Sequence, residues 1–208
     1  MRWYFDFISP FAYLQSTRLQ EFSSQRDIEF RPLLFAGLLK HWGQLGPAEL
    51  PSKRQWTFKH CVWQAHRDNI TLNLPPEHPF NPLPLLRLCI AAGNNATVVE
   101  RLFRYVWSDG LLPGNEDAFI SLCNEFSLSP ADINTDEIKN QLLANGEAAI
   151  AEGVFGVPSI TYDEQLFWGY HATDMALASM AHRQPSCDWP GEKLAAVAAL
   201  PEGLQRKR

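Results

Sequence analysis

The chain lacks the paired cysteines on which dithiol redox enzymes and structural zinc sites depend. Its 208 residues include four cysteines, and no two of them form a C-x-x-C motif. No H-E-x-x-H motif or comparable histidine spacing supplies metal ligands. The sequence therefore predicts no metal site and argues against dithiol redox chemistry. The four cysteines are expected to be buried thiols: Cys61, Cys89, Cys123 and Cys187.

Long apolar runs and an excess of positive charge are also absent. No run approaches the ~18 residues of a membrane-spanning helix, and the first residues enter a strand-like pattern instead of a signal peptide. The formal net charge is -5, and the basic tail Arg206-Lys207-Arg208 is short. These features predict a cytoplasmic protein with neither a nucleic-acid nor a membrane partner.

The composition is that of a globular chain. Hydrophobic residues make up 46% of the sequence, and thirteen Phe and seven Trp supply large apolar groups. A chain of 208 residues with this content can bury one sizeable core.

The segment that begins the chain joins a strand pattern to a helix pattern. Residues Arg2 to Ile8 are rich in aromatic and β-favouring types. Ser9 suits a helix N-cap and Pro10 the first helical position, and apolar residues then follow one helical face to about Ser24. The N-terminus of a helix favours an anion, so a hydroxyl there is a candidate site.

The rest of the pattern predicts an α/β fold built as βαβ, a helical block, and ββα. A strand at 28–33 completes a parallel βαβ unit, and 159–162 with 165–168 form a hairpin. Helices are predicted at 52–68, 83–92, 97–107, 115–126, 136–152, 172–182 and 191–199. We interpret 1–34 plus 147–182 as one discontinuous domain, 35–146 as an all-helical insertion lobe, and 183–208 as a C-terminal extension.

A second motif precedes the hairpin, in the segment from Gly153 to Ile160. Val157-Pro158 stands where a strand begins, and a cis X-Pro bond costs only about 0.5–1 kcal/mol. The Val157 backbone there can pair with an extended, peptide-like ligand.

These motifs together resemble one family. The stretch from Asp6 to Leu14 is similar to the D-F-x-S-P-x-[SA]-Y-L opening of 2-hydroxychromene-2-carboxylate isomerases and kappa-class glutathione transferases, which have the DsbA-like thioredoxin fold. Pro79 to Arg87 and Phe103 to Trp107 resemble later family segments in the same order. Ala151 to Ser159 resembles the family's x-x-G-V-F-G-V-P-[ST], so the likeness spans almost the whole chain.

The resemblance implies a glutathione site. Ser9 matches the family serine that hydrogen-bonds the sulfur of glutathione, at the place of the reactive cysteine in thioredoxin-like chains, while Ala12 stands in place of a second cysteine. It implies that the Val157 backbone pairs with the cysteinyl part of glutathione and that Pro158 holds that peptide. On local evidence alone, Ser9 is better explained as a helix cap. The matching Val157-Pro158 segment reverses that preference, and the hydroxyl can serve both purposes.

Other positions carry weaker expectations. The resemblance places Asn81 on the substrate side of the cleft and Lys53 facing a carboxylate, although a loop-capping amide and a solvated lysine explain them as well. Trp56, Trp63 and Phe35 are candidates for the floor of an aromatic pocket or for core packing.

The chain departs from the family after Trp168-Gly169. Tyr170 and His171 replace a small or amide residue and an aspartate that hold the γ-glutamyl end of glutathione, so a charge-assisted contact worth roughly 1.5–3 kcal/mol is missing. Another acid, weak glutathione binding or a different thiol would account for this, and His171 itself can meet a carboxylate or cap the next helix.

The resemblance implies a glutathione-dependent isomerase in bacterial catabolism of aromatic compounds, acting by reversible thiolate addition, and a homodimer. A kappa-like transferase or peroxidase is the first alternative. A non-catalytic binding protein of the same fold is the second.

Overall fold

A computed structural model describes residues 1–181 and 190–199. The strands are β1 (Arg2–Phe5), β2 (Glu29–Pro32), β3 (Ser159–Tyr162) and β4 (Gln165–Trp168). The helices are α1 (Pro10–Ser16), α2 (Leu19–Ser23), α3 (Phe35–Trp42), α4 (Pro51–Arg67), α5 (Leu83–Ala91), α6 (Ala96–Trp107), α7 (Glu116–Glu125), α8 (Asp136–Ala151), α9 (Thr173–Ala181) and α10 (Gly191–Ala195). Short 3-10 turns lie at Pro47–Glu49, Asp132–Asn134, Tyr170–Ala172 and Ala196–Ala199.

The four strands form one mixed sheet in the order β2-β1-β3-β4. Strand β1 pairs parallel to β2 and antiparallel to β3, and β3 pairs antiparallel to β4. Asp163 and Glu164 join the hairpin with φ of 50° and 60°, as a turn with two left-handed residues requires. The predicted α/β fold with βαβ and ββα units is therefore confirmed.

The core lies on both faces of β1, because alternate side chains of a strand point to opposite faces. Trp3 and Phe5 stack with ring centroids 4.5 Å apart, and both contact Phe103 of α6. On the other face, Tyr4 packs with residues of α3, α8 and the segment before β3. Helix α6 and strand β1 thus share one apolar cluster, while the division into a discontinuous domain and a helical lobe stays a prediction.

Two local features differ from the sequence prediction. The single helix expected to run from Pro10 to Ser24 is two helices, α1 and α2. The hydroxyls of Ser16 and Thr17 donate to the carbonyl oxygens of Tyr13 and Leu14 at 2.6 and 2.8 Å, a local bond that competes with helix continuation.

Helix α3 was not predicted. Its N-terminus has no local cap, and the Phe35 N–H donates to the Asp6 carboxylate at 2.8 Å, from 29 residues away. Its C-terminus ends at Gly43 in the left-handed conformation, with φ of 62°.

The short helix predicted near the C-terminus is present in α10 and the following 3-10 turn. Cys187, most of the predicted extension 183–208 and the basic tail lie outside the described residues. Within residues 1–181 and 190–199, no helix is long and apolar enough to cross a membrane.

Candidate active site

Ser9 caps the N-terminus of α1. Its backbone is extended, its Oγ accepts a hydrogen bond from the Ala12 N–H at 3.2 Å, and Pro10 is the first helical residue. The side chain is nearly buried, with 8% of the residue exposed. The capping expectation is therefore correct, and the hydroxyl hydrogen stays free to donate elsewhere.

Val157, in the segment before β3, contacts Ser9 at the start of α1. The Ser9 Oγ donates to the Val157 carbonyl at 3.5 Å, the long limit of a hydrogen bond. The Val157–Pro158 peptide bond is cis, and the Pro158 carbonyl accepts from the Gly169 N–H at 2.8 Å. The fold thus brings together Ser9, Val157 and Pro158, the three residues at the centre of the predicted site.

Asp6 lies buried beneath this site, at a position for which the sequence pattern predicted no role. Its carboxylate accepts from the backbone N–H groups of Ile8 at 3.1 Å and Phe35 at 2.8 Å. Burial raises the pKa of Asp6 to about 7, and these two donors oppose the shift. A carboxylate at the end of an apolar strand was the signal that could have marked it.

An aromatic cluster flanks the first turn of α1. His171 and His60 of α4 stack with ring centroids 4.8 Å apart and planes 13° from parallel. The Phe11 ring meets both imidazoles edge-on, at 5.9 and 5.8 Å. His60 also lies against Trp56 and Trp63, at 5.8 and 6.3 Å. His171 was a candidate from the sequence and His60 was not, because only the folded chain brings α4 beside α1.

Tyr170 lies at the border of this cluster, with its ring edge-on to His171 at 6.1 Å between centroids. It is 5% exposed, and its hydroxyl donates to the Asp68 carboxylate at 2.7 Å. Arg67 also donates to Asp68, at 2.6 and 2.8 Å. Burial, with the Asp68 carboxylate adding to it, raises the pKa of Tyr170 to about 12. Its phenol therefore joins the end of α4 to the turn after β4.

The weaker candidates lie further out. Asn81 is exposed, and its Oδ1 accepts from the Leu83 N–H at 3.1 Å, which is a loop-capping contact. Lys53 is exposed in the first turn of α4, and Phe35 is half-buried at the start of α3. Within the described residues, none of these three hydrogen-bonds Ser9 or Val157.

An open cavity of about 910 Å³ runs along α4, on the side of His78. Trp63 is among its lining residues, and Trp56 and Phe35 are not. Its polar and aromatic walls include Arg54, Phe58, Lys59 and His78. The His78 ring lies 2.9 Å from the carbonyl oxygen of Ile8, the residue before Ser9, so the cavity reaches the neighbourhood of the α1 N-terminus.

The described cysteines are buried free thiols. Cys61, Cys89 and Cys123 are buried and unpaired with one another. Burial raises the pKa of each thiol, to about 12 for Cys61. Among the residues that the structure describes, no group of three His, Cys, Asp or Glu side chains is placed to hold a metal ion.

Comparison with known proteins confirms the resemblance seen in the sequence. A family model described as a DSBA-like thioredoxin domain matches residues 2–181. A 2-hydroxychromene-2-carboxylate isomerase from Sphingobium xenophagum is 25% identical over 182 residues, covering 82% of this chain and 92% of the relative. Glutathione S-transferase kappa 2 from Caenorhabditis elegans is 23% identical over 176 residues, covering 76% of this chain and 78% of the relative.

Solved structures show the same fold. A 2-hydroxychromene-2-carboxylate isomerase structure aligns with a TM-score of 0.77 at 22% identity, over 95% of this chain and 97% of that one. The cytosolic disulfide reductase DsbM from Pseudomonas aeruginosa, solved with GSH, aligns with a TM-score of 0.60 at 13% identity, over 88% and 97%.

Proposed function

The chain belongs to the DsbA-like thioredoxin domain family, and from that premise we propose that it is a glutathione-dependent isomerase of the 2-hydroxychromene-2-carboxylate type. One observation carries the proposal: the nearly buried Ser9 hydroxyl lies beside the Val157 carbonyl. Relatives that bear the isomerase name, 25% and 27% identical, support it.

The polar groups of the site suit a peptide thiol. The Ser9 Oγ–H makes only a long contact with the Val157 carbonyl, so it can turn to a ligand sulfur. The Oγ meanwhile keeps the hydrogen bond that it accepts from the Ala12 N–H. The Val157 carbonyl is then free to accept a peptide N–H of the ligand. The chain departs from the family at the far end of the ligand, where Tyr170 and His171 replace the family's residues.

When bound, glutathione supplies a thiolate that adds reversibly to an unsaturated ring system and is returned. Ser9 stabilises the anionic sulfur by its hydroxyl, and the partial positive charge at the start of α1 acts in the same direction. The Val157 backbone orients the peptide, and Pro158 keeps that backbone in place through its carbonyl bond to Gly169.

The cavity along α4 is proposed to take the aromatic substrate. Phe58 and Trp63 offer aromatic faces, and Arg54 and Lys59 offer positive charge for a carboxylate. Asn81 and Lys53 keep their proposed roles of orienting the hydroxyl or the carboxylate. The cytoplasmic location and the homodimer stay predictions.

A kappa-like transferase or peroxidase is the second candidate function, favoured by the relatives named as kappa-class transferases. It uses the same thiolate on an electrophile without returning the thiol. A non-catalytic binding protein is the third, favoured by Tyr170 and His171 at the position where the family carries an acid.

The deciding experiment measures isomerisation of the chromene carboxylate with and without glutathione, beside conjugation of an aryl halide. We expect glutathione-dependent isomerisation, and a fall in kcat/KM of at least about tenfold in Ser9→Ala. The matched control is Thr135→Ala, because Thr135 also caps a helix, α8, with its hydroxyl and is not among the residues that line the cavity.

Unchanged kcat/KM in Ser9→Ala would overturn the assignment. Conjugation without isomerisation would instead establish the transferase. If calorimetry detects no glutathione binding at millimolar concentration, a non-catalytic binding protein is the candidate function that remains.

A further inference from the structure

The stacked imidazoles of His60 and His171 adjoin both halves of the candidate site. Their common neighbour, Phe11, belongs to the first turn of α1 and follows Ser9 by two residues. His171 follows Gly169, whose N–H bonds the Pro158 carbonyl. A ligand that places its thiol at Ser9 and its peptide on Val157 therefore ends near this pair.

Stacking of the two imidazoles engages the faces of the rings and leaves the edges, where the nitrogens lie, uncovered by the partner ring. Phe11 lies beside the stack. Within residues 1–181 and 190–199, neither imidazole hydrogen-bonds another protein group. His171 is exposed and His60 half-buried, so the ring edges are accessible.

The surrounding charge favours an anion. The positive charge of Arg67 opposes protonation of His171, and Lys59 precedes His60 in α4. The acid at this end of α4, Asp68, is already bonded to Arg67 and Tyr170. Burial, together with the charges of His60 and Arg67, lowers the pKa of His171. A ligand carboxylate at the ring edges would offset these positive charges and so stabilise the protonated imidazole.

We propose that His60 and His171 together bind a terminal carboxylate of the thiol ligand. The proposal rests on the proposed function, since it assumes a peptide thiol at Ser9 and Val157. It means that this chain recognises the end of its ligand through the ligand's negative charge. The class of ligand is a thiol peptide with a free carboxylate.

The test measures dissociation constants by calorimetry for glutathione and two analogues, each lacking one carboxylate. 4-Aminobutyryl-cysteinyl-glycine lacks the γ-glutamyl α-carboxylate, and the glycine amide of glutathione lacks the other. We expect the wild-type chain to bind one of the two at least about tenfold more weakly than glutathione, the effect of losing a charge-assisted hydrogen bond.

The matched variants are His171→Phe and His60→Phe, which keep an aromatic ring in the stack and remove its nitrogens. Each should weaken glutathione binding and should abolish most of the difference between glutathione and the sensitive analogue. A purely structural stack would not produce that coupling. The His41→Phe variant, changed at an exposed position of α3, should bind all three ligands as the wild type does.

Equal affinity of the wild type for glutathione and both analogues would overturn the inference and leave the proposed function standing. So would histidine variants that keep the full preference. Failure of the wild type to bind glutathione at all would overturn the proposed function and the inference with it.

Discussion

The Ser9 Oγ lies 3.5 Å from the Val157 carbonyl oxygen, although 148 residues separate the two in the chain. The Ser9 Oγ also accepts a hydrogen bond from the Ala12 N–H and so caps α1. One hydroxyl thus serves a local bond within its own helix and faces the segment that enters β3. Substitution can separate the capping role from the proposed role of donating to a ligand sulfur. A helix cap tolerates glycine, whereas glycine has no hydroxyl to donate to sulfur.

Ser9→Gly and Ser9→Ala should therefore differ in stability and agree in activity. Alanine at an N-cap costs about 1 kcal/mol, and glycine only a few tenths. Both variants lose the hydroxyl, so both should lose at least about tenfold in kcat/KM. Urea unfolding and isomerisation kinetics check the two effects. Near-normal turnover in Ser9→Gly would show that the hydroxyl acts only as a cap.

Asp6 should make the wild-type chain less stable as the pH rises. Its folded-state pKa of about 7 lies above the ordinary value of 3.8, so the folded chain holds the proton more tightly than the unfolded chain. The stability that this proton contributes is full below about pH 4 and is lost as the pH rises through 7.

Asp6→Asn removes this ionisation while keeping the side-chain size. Between pH 5 and pH 8, the free energy of unfolding should fall more in the wild type than in the variant, as measured by urea denaturation at each pH. Parallel pH profiles would contradict the raised pKa.

Tyr170→Phe should lower stability without weakening the binding of glutathione. The phenol donates to Asp68 in a nearly buried site, so its removal should cost about 0.5–1.5 kcal/mol. Thermal unfolding measures the loss, and calorimetry with glutathione measures the affinity. A weaker Kd at unchanged stability would mean that the hydroxyl serves the ligand instead.

The sequence predicted those parts of the fold that depend on local pattern. Strand β1, the hairpin and the Ser9 cap follow from β-favouring residue types, turn residues and a capping dipeptide, each within a few neighbouring positions. The meeting of Ser9 with Val157 was predicted only because the ordered motifs resembled a family.

What the sequence did not predict depends on contacts between distant segments. Helix α3 takes its N-terminal acceptor from Asp6, and His60 joins the site because α4 packs beside α1. No local spacing links His60 to His171, or Asp68 to Tyr170. Such pairs become visible only when the packing of α4 is known.

Gly156→Ala should disturb the segment that carries Val157. A Cβ at Gly156 would lie 2.4 Å from Nε1 of Trp168, so the indole or the backbone must move. The backbone of Gly156 does not require glycine for its conformation, since its φ is not positive. Overpacking of this kind costs about 1–3 kcal/mol.

The Trp168→Ala background separates the two possible responses. Trp168 is 55% exposed and rests edge-on against Phe155, with ring centroids 5.0 Å apart. If the clash causes the loss, adding Gly156→Ala to Trp168→Ala should cost little, and the coupling energy should reach about 0.5–3 kcal/mol.

Gly114→Ala is the control for the Gly156 series, because nothing lies within 4 Å of its added Cβ. Equal losses of stability from Gly156→Ala in both backgrounds would place the cost in the backbone before Val157. Glutathione affinity should then fall in both backgrounds, since the ligand pairs with that backbone in the proposed site.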